Sequence, residues 1–168
     1  MRQLPELGKP LRHELHHLRR VRVQEFSPEV ADTLISFGWS PDRRVDPSPW
    51  TAPFEEQGMA VHEVVRDFLA RFGGLRFDVS GTGITAARTP FEIDPLLCIG
   101  EEDRFTEWGA ELGVEMFPLG ELENGHLFLA MDQHGVIYLV MDWVARYGPW
   151  PEAIDALVRG LKPEEIAG

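Results

Sequence analysis

The sequence has few of the features that mark secreted, membrane-bound or catalytic proteins. It contains one cysteine, Cys98, so no internal disulfide can form. No apolar run approaches the roughly 20 residues that a membrane span needs, and the N-terminal stretch lacks the apolar segment of a secretory signal. These absences favour a cytoplasmic protein with no membrane partner.

Basic charge is also scarce. The 168 residues carry 16 Lys and Arg against 28 Asp and Glu, which gives a net charge of −12. Residues 1–25 have six basic and three acidic side chains, whereas the rest of the chain has 10 basic and 25 acidic ones. A body this acidic repels nucleic acid directly and attracts basic proteins. The alternative interpretation is that the charge serves solubility alone.

Catalytic and metal-binding signatures are missing or incomplete. There is no Gly-x-Ser-x-Gly motif, and the apolar neighbours of Cys98 predict a small buried side chain rather than a nucleophile. His13, His16 and His17 have the spacing of metal ligands on a helix, but no cysteine or carboxylate motif completes a site, so a polar arm is the simpler interpretation. Three further histidines are isolated and are predicted to lie on the surface: His62, His126 and His134. The sequence therefore predicts no catalytic residue, no metal site and no cofactor.

The glycine pair in the stretch FLARFGGLRF, residues 68–77, has two possible roles. A phosphate-binding loop follows a strand and precedes a helix. Here a helical pattern ends and an alternating, strand-like pattern begins, so we interpret the pair as a structural connection. Gly73 is predicted to be the left-handed residue that ends the helix.

The hydrophobic pattern predicts an α+β fold with a central, mostly antiparallel sheet packed with helices. Helices are predicted near residues 27–38, 60–72, 100–113 and 150–159, and an irregular proline-rich connection is predicted from 39 to about 51. Strands are predicted at 75–79, 84–88, 115–117, 126–131 and 136–141. Residues 132–135, read DQHG, predict the turn of a central hairpin.

The predicted helix at 100–113 carries a concentration of carboxylates, which are Glu101, Glu102, Asp103, Glu107 and Glu111. They form our candidate surface for a basic protein partner. Two alternatives stay open at this point. The carboxylates could cap the helix and line its solvated face, or they could be the acid and base groups of an enzyme.

Several stretches, taken in order, resemble one protein family. The stretches are FSPE at 26–29, GWSPDRRVD at 38–46, FLARFGGL at 68–75, WGAELG at 108–113, PLGE at 118–121, GH at 125–126 and MDQHGVIY at 131–138. Together they are similar to the third subgroup of the SUKH superfamily of bacterial immunity proteins. The resemblance covers residues from about 26 to 160.

The resemblance implies a SUKH-like α+β fold and a role without catalysis. Members are cytoplasmic antidotes that bind and neutralise a toxin domain, often a nuclease or a nucleic-acid deaminase. The superfamily shares no catalytic residues, so none is carried over to this chain. Other members are general interaction or regulatory modules with no toxin partner, and this second function stays open. The resemblance also divides the chain into a basic arm (1–25), an immunity domain (26–162) and a C-terminal tail (163–168).

Overall fold

The computed structural model of the protein describes residues 25–168. Within these residues the helices are α1 (Pro28–Ser36), α2 (Ser48–Glu55), α3 (Glu63–Phe72), α4 (Glu102–Leu112) and α5 (Trp150–Arg159), with a 3₁₀ turn at Pro95–Cys98. The strands are β1 (Leu75–Phe77), β2 (Phe91–Ile93), β3 (Phe117–Leu122), β4 (Leu127–Met131), β5 (Val136–Val140), β6 (Val144–Pro149) and β7 (Glu164–Ala167). None of the helices in 25–168 has the length and apolar character needed to cross a bilayer.

The seven strands form one sheet in which each strand pairs with the next strand along the chain. All six pairings are antiparallel. The predicted α+β class with an antiparallel sheet and packed helices is therefore confirmed.

Helices cover both faces of the sheet. The side chains of β4 show which helices lie on each face. Leu129 and Met131 belong to a large core that also takes apolar residues from α1, α2, α3 and α5. Ala130 and Phe128 belong to a smaller core formed with α4 and the 3₁₀ turn. Because successive residues of a strand point to opposite faces, the two cores lie on opposite sides of the sheet. The hairpin of β4 and β5 is accordingly central, as predicted.

A buried carboxylate closes this hairpin. One oxygen of Asp132 accepts hydrogen bonds from the backbone N–H groups of His134 (2.8 Å) and Val136 (3.1 Å). The other oxygen accepts from the Tyr138 hydroxyl at 2.7 Å, and Asp132 is only 1% exposed. A buried polar side chain is tolerated when it is hydrogen-bonded in this way. The predicted turn is therefore confirmed, and the Asp132 side chain holds it in place.

The start of the described chain is held by a second buried charge. Arg71 in α3 is 9% exposed and donates two hydrogen bonds to the carboxylate of Glu25, at 3.0 and 2.7 Å. Its guanidinium group also lies 5.1 Å from the ring centroid of Trp150 and 5.7 Å from that of Trp39. A paired guanidinium stacked on aromatic rings can be buried at acceptable cost. This contact fixes where the chain enters the domain.

The prediction of an irregular connection from 39 to about 51 was wrong for its last residues, because α2 begins at Ser48. Pro47 and Pro49 stand at the start of the helix, where a missing N–H group costs nothing. Pro53 removes one internal hydrogen bond, yet Phe54 is fully buried in the main core. Tertiary burial therefore overrides the local signal of three closely spaced prolines.

The predicted left-handed conformation of Gly73 was also wrong. Gly73 has φ −56°, and the following Gly74 has the positive φ of +79°. Gly73 is instead required by space, since a Cβ atom there would lie 2.5 Å from a ring carbon of Trp50 and 2.5 Å from the carbonyl oxygen of Leu69. The interpretation of the pair as a connection between helix and strand agrees with its position between α3 and β1.

Residues 84–88 do not form the predicted return strand. The backbone N–H of Ile84 donates to the carbonyl of Arg159, and those of Thr85 and Ala86 donate to the carbonyl of Gly160. The segment thus caps the C-terminal end of α5, whose last carbonyls have no partner inside the helix. The strand that pairs with β1 comes later, as β2.

The two ends of the chain differ in what the structure describes. Residues 1–24, with the predicted arm and the three closely spaced histidines, lie outside the described residues. At the other end, Glu164–Ala167 forms β7 and pairs with β6, although the sequence had placed 163–168 in a tail. Three strands were absent from the predicted elements, namely β2, β6 and β7.

Candidate partner-binding surface

The helix α4 is built to bury one face and expose the other. Phe105 is fully buried, and the indole N–H of Trp108 donates to the carbonyl of Met141 at 2.9 Å. Gly113 ends the helix in the left-handed conformation with φ +72°, and this end agrees with the predicted bound at residue 113. The remaining face points away from the sheet and carries the predicted carboxylates.

Two of the five candidate carboxylates are engaged within the protein. Glu101 accepts a hydrogen bond from the Arg104 side chain at 3.0 Å, and Arg104 also binds Asp142 at 3.0 Å. Glu102 accepts from the backbone N–H of Gly100 at 2.9 Å, and this bond lowers the pKa of Glu102. These contacts hold residues at the start of α4 in place, although the side chain of Glu101, at the N-cap position, accepts no hydrogen bond from the helix N–H groups.

The other three carboxylates form what we call the α4 acidic stripe, which consists of Asp103, Glu107 and Glu111. They are exposed and stand four residues apart, so they lie one above another along the helix. Among residues 25–168, no Lys, Arg or His approaches any of the three within 4.0 Å. Like charges at this spacing destabilise a helix by roughly 0.2–0.5 kcal/mol per pair. The stripe therefore costs stability, and no salt bridge among residues 25–168 offsets its charges.

A second group of carboxylates, which the sequence did not reveal, lies on β2 and β3 and the adjoining turn. We call Glu92, Asp94 and Glu121 the β acidic cluster. Glu92 stands directly opposite Glu121 in the antiparallel register, and Arg76 approaches Glu92 at 3.5 Å. The pKa of Glu121 is raised, first by burial and then by the charge of Glu92. Only the strand register brings Glu121 to the other two residues, since Glu92 and Glu121 are 29 positions apart in sequence.

Most arginine side chains of residues 25–168 bind carboxylates or backbone carbonyls of the protein itself. Salt bridges within 25–168 involve Arg66, Arg71, Arg76, Arg104 and Arg159. Arg43 donates to the backbone carbonyls of Arg71 and Gly73, and Arg88 donates to that of Val158. Because these positive groups face their own partners, the free acidic groups set the character of the outer surface.

The remaining sequence candidates lie apart from this surface or have structural roles. Cys98 is fully buried, its thiol donates to the carbonyl of Gly120 at 3.3 Å, and burial raises its pKa to about 12. His62 precedes α3 and contacts the carboxylate of Glu115, whereas His126 and His134 are exposed. Within the part of the chain that the structure describes, no group of three or more His, Cys, Asp or Glu has the geometry of a metal site.

These observations describe an α+β protein whose distinctive polar feature is a charged outer surface. Comparison with protein families gives the class more narrowly. The model of the SUKH-3 immunity protein family matches residues 26–160, which is most of the chain. The protein therefore belongs to the SUKH-3 immunity protein family, and the resemblance noted from the sequence is confirmed. No curated protein and no solved structure matches the chain.

Proposed function

We propose that the protein is an intracellular immunity protein that binds a cognate bacterial toxin domain and neutralises it by stoichiometric occlusion. The family match carries this proposal, because immunity proteins protect a cell by engaging a toxin. The toxin domain is a nuclease or a nucleic-acid deaminase with a basic surface. The protein acts in the cytoplasm and by binding, without catalysis.

The α4 acidic stripe supports this choice of partner. A protein that handles nucleic acid must neutralise phosphates with Lys and Arg. Carboxylates at Asp103, Glu107 and Glu111 can occupy the same basic surface and exclude the substrate. The three charges repel one another and have no internal partner among the described residues. They therefore do not stabilise the fold, and we assign them to binding.

The arrangement of the stripe favours binding over acid–base catalysis. Catalytic carboxylates converge on one point, where a substrate atom is held away from water. The three side chains of the stripe instead follow the exposed length of α4. A spread of charges along one helix suits an extended protein interface, with Glu101 and Glu102 contributing from the start of the helix.

Co-expression with the toxin encoded by the neighbouring gene tests the proposal. We expect the wild-type protein to restore growth and to form a 1:1 complex with the inactivated toxin domain. The double variant Glu107→Gln/Glu111→Gln should weaken that complex. The control Glu164→Gln/Glu165→Gln removes the same charge from exposed positions in β7 and should bind like wild type. Failure of the wild-type protein to protect cells or to bind would contradict the proposal.

A further inference from the structure

The turn between β2 and α4 exposes an unusual group of apolar side chains. Leu96 and Leu97 are each 38% exposed, and Ile99 is 54% exposed. Only three other large apolar side chains in residues 25–168 are exposed, and they are scattered: Ile35, Ile84 and Ile166. Single exposed apolar residues are ordinary, whereas a contiguous group marks a contact surface. We call Leu96, Leu97 and Ile99 the apolar turn.

The backbone of the apolar turn is held firmly from both sides. Pro95 and Cys98 are buried and face the sheet, where the Cys98 thiol bonds the carbonyl of Gly120. The side chain of Asp94 accepts a hydrogen bond from the backbone N–H of Leu96 at 3.0 Å. Because a 3₁₀ turn has three residues per turn, burying positions 95 and 98 directs 96 and 97 outward. A preformed surface of this kind binds without a large ordering cost.

Carboxylates surround the apolar turn. Asp94 precedes it, and Glu101 follows it in the chain. Glu121 lies close by on β3, since it directly follows Gly120, whose carbonyl accepts a hydrogen bond from the Cys98 thiol at 3.3 Å. Arg104, the nearest cation along the chain, is already bound to Glu101 and Asp142. The turn thus lies between the β acidic cluster and the start of the α4 acidic stripe.

We propose that the apolar turn is the anchor of the protein-binding surface and inserts into an apolar cleft rimmed by Lys and Arg on the partner. The inference rests on the proposed function, with the toxin domain as the occupant. An apolar centre with a charged rim is the usual organisation of a protein interface. The surrounding carboxylates disfavour nucleic acid and anionic lipid, and they repel a second copy of this chain.

The anchor and the carboxylates have different kinetic effects. Rim charges act mainly on the rate of association, whereas buried contacts act on the rate of dissociation. Loss of the anchor should therefore accelerate dissociation and leave association nearly unchanged. Loss of the α4 acidic stripe should slow association and leave the dissociation rate nearly unchanged.

Surface plasmon resonance with the full-length protein and the inactivated toxin domain from the neighbouring gene tests this inference. We expect Leu97→Ser/Ile99→Ser to dissociate at least about tenfold faster, as for the loss of an interface hot spot. Ile84→Ser is the matched control, because Ile84 is 56% exposed but lies in the loop that caps α5. It should bind like wild type. Urea midpoints equal to that of wild type would show that both variants are folded.

Several results would overturn the inference. One is that Leu97→Ser/Ile99→Ser dissociates from the toxin domain as slowly as wild type. Another is that Ile84→Ser dissociates as fast as the double variant. A third is that the protein alone forms a dimer and that Leu97→Ser/Ile99→Ser abolishes this dimer, since the occupant would then be a second copy. In these cases the wild-type protein still binds the toxin, and the proposed function stands. If the wild-type protein does not bind, the proposed function fails and the inference fails with it.

Discussion

Neutralising Glu107 should stabilise the free protein, although it removes a charge that we assign to binding. Glu107 lies between Asp103 and Glu111 in the α4 acidic stripe, so it takes part in two like-charge pairs. Each pair costs roughly 0.2–0.5 kcal/mol, so Glu107→Gln should raise the free energy of unfolding by about 0.4–1 kcal/mol. For a domain of this size the melting temperature should rise by roughly 1–4 °C.

Urea denaturation at low ionic strength measures this gain, and Glu101, the N-cap residue of α4, supplies a control in which stability should change in the opposite direction. Glu101→Gln removes the same charge but breaks the 3.0 Å pair with Arg104, so it should lower stability by a few tenths of a kcal/mol. In 1 M salt the Debye length falls from about 10 Å to about 3 Å, and both effects should shrink.

The reasoning about the stripe would be refuted by either of two results. Destabilisation by Glu107→Gln would mean that the carboxylate makes a favourable contact. A gain that persists unchanged in 1 M salt would mean that its origin is not repulsion between charges.

Three further predictions concern the framework that holds the surface. Asp132→Ala leaves three hydrogen-bond donors without their acceptor, including the Tyr138 hydroxyl, and should cost about 3 kcal/mol in urea denaturation; Asp132→Asn keeps one oxygen and should cost less. Gly73→Ala places a Cβ 2.5 Å from the Trp50 ring and should cost roughly 1–3 kcal/mol, with a smaller loss in a Trp50→Leu background. Cys98 should react with a thiol reagent at about pH 8 only after the protein is unfolded, because folding buries the thiol and raises its pKa to about 12.

Each of these predictions has a result that contradicts it. Equal stability of Asp132→Ala and wild type would show that the buried carboxylate is dispensable. The same loss from Gly73→Ala in both backgrounds would show that contact with Trp50 is not the cause. Rapid modification of Cys98 in the folded protein would show that the 3₁₀ turn opens readily.

The sequence was sufficient where the signal is local. Ser27 accepts from the N–H of Val30 as an N-cap, and Gly113 ends α4, because capping depends on residues within one turn. The turn at 132–135 followed from its composition in the same way. Local chemistry therefore predicted α4, which carries four of the five candidate carboxylates and has the fifth, Glu101, at its N-cap.

The sequence was insufficient where tertiary contacts decide the outcome. The apolar neighbours of Cys98 correctly predicted that its side chain is buried, but they did not predict that the 3₁₀ turn exposes Leu96, Leu97 and Ile99. Glu121 likewise meets Glu92 only through the pairing of β2 and β3. Neither arrangement has a signature in a window of neighbouring residues, because each depends on how the segment packs against the sheet.

The association rate of the protein with its inactivated toxin domain, measured as a function of salt, tests the central claim most directly. The claim is that free carboxylates on one face of an acidic immunity protein attract a basic partner. The rate constant should fall steeply as salt rises from 0.05 to about 0.5 M, and Glu107→Gln/Glu111→Gln should lower both the rate and its salt dependence. A rate that is independent of salt, or is unchanged in the double variant, would contradict the claim.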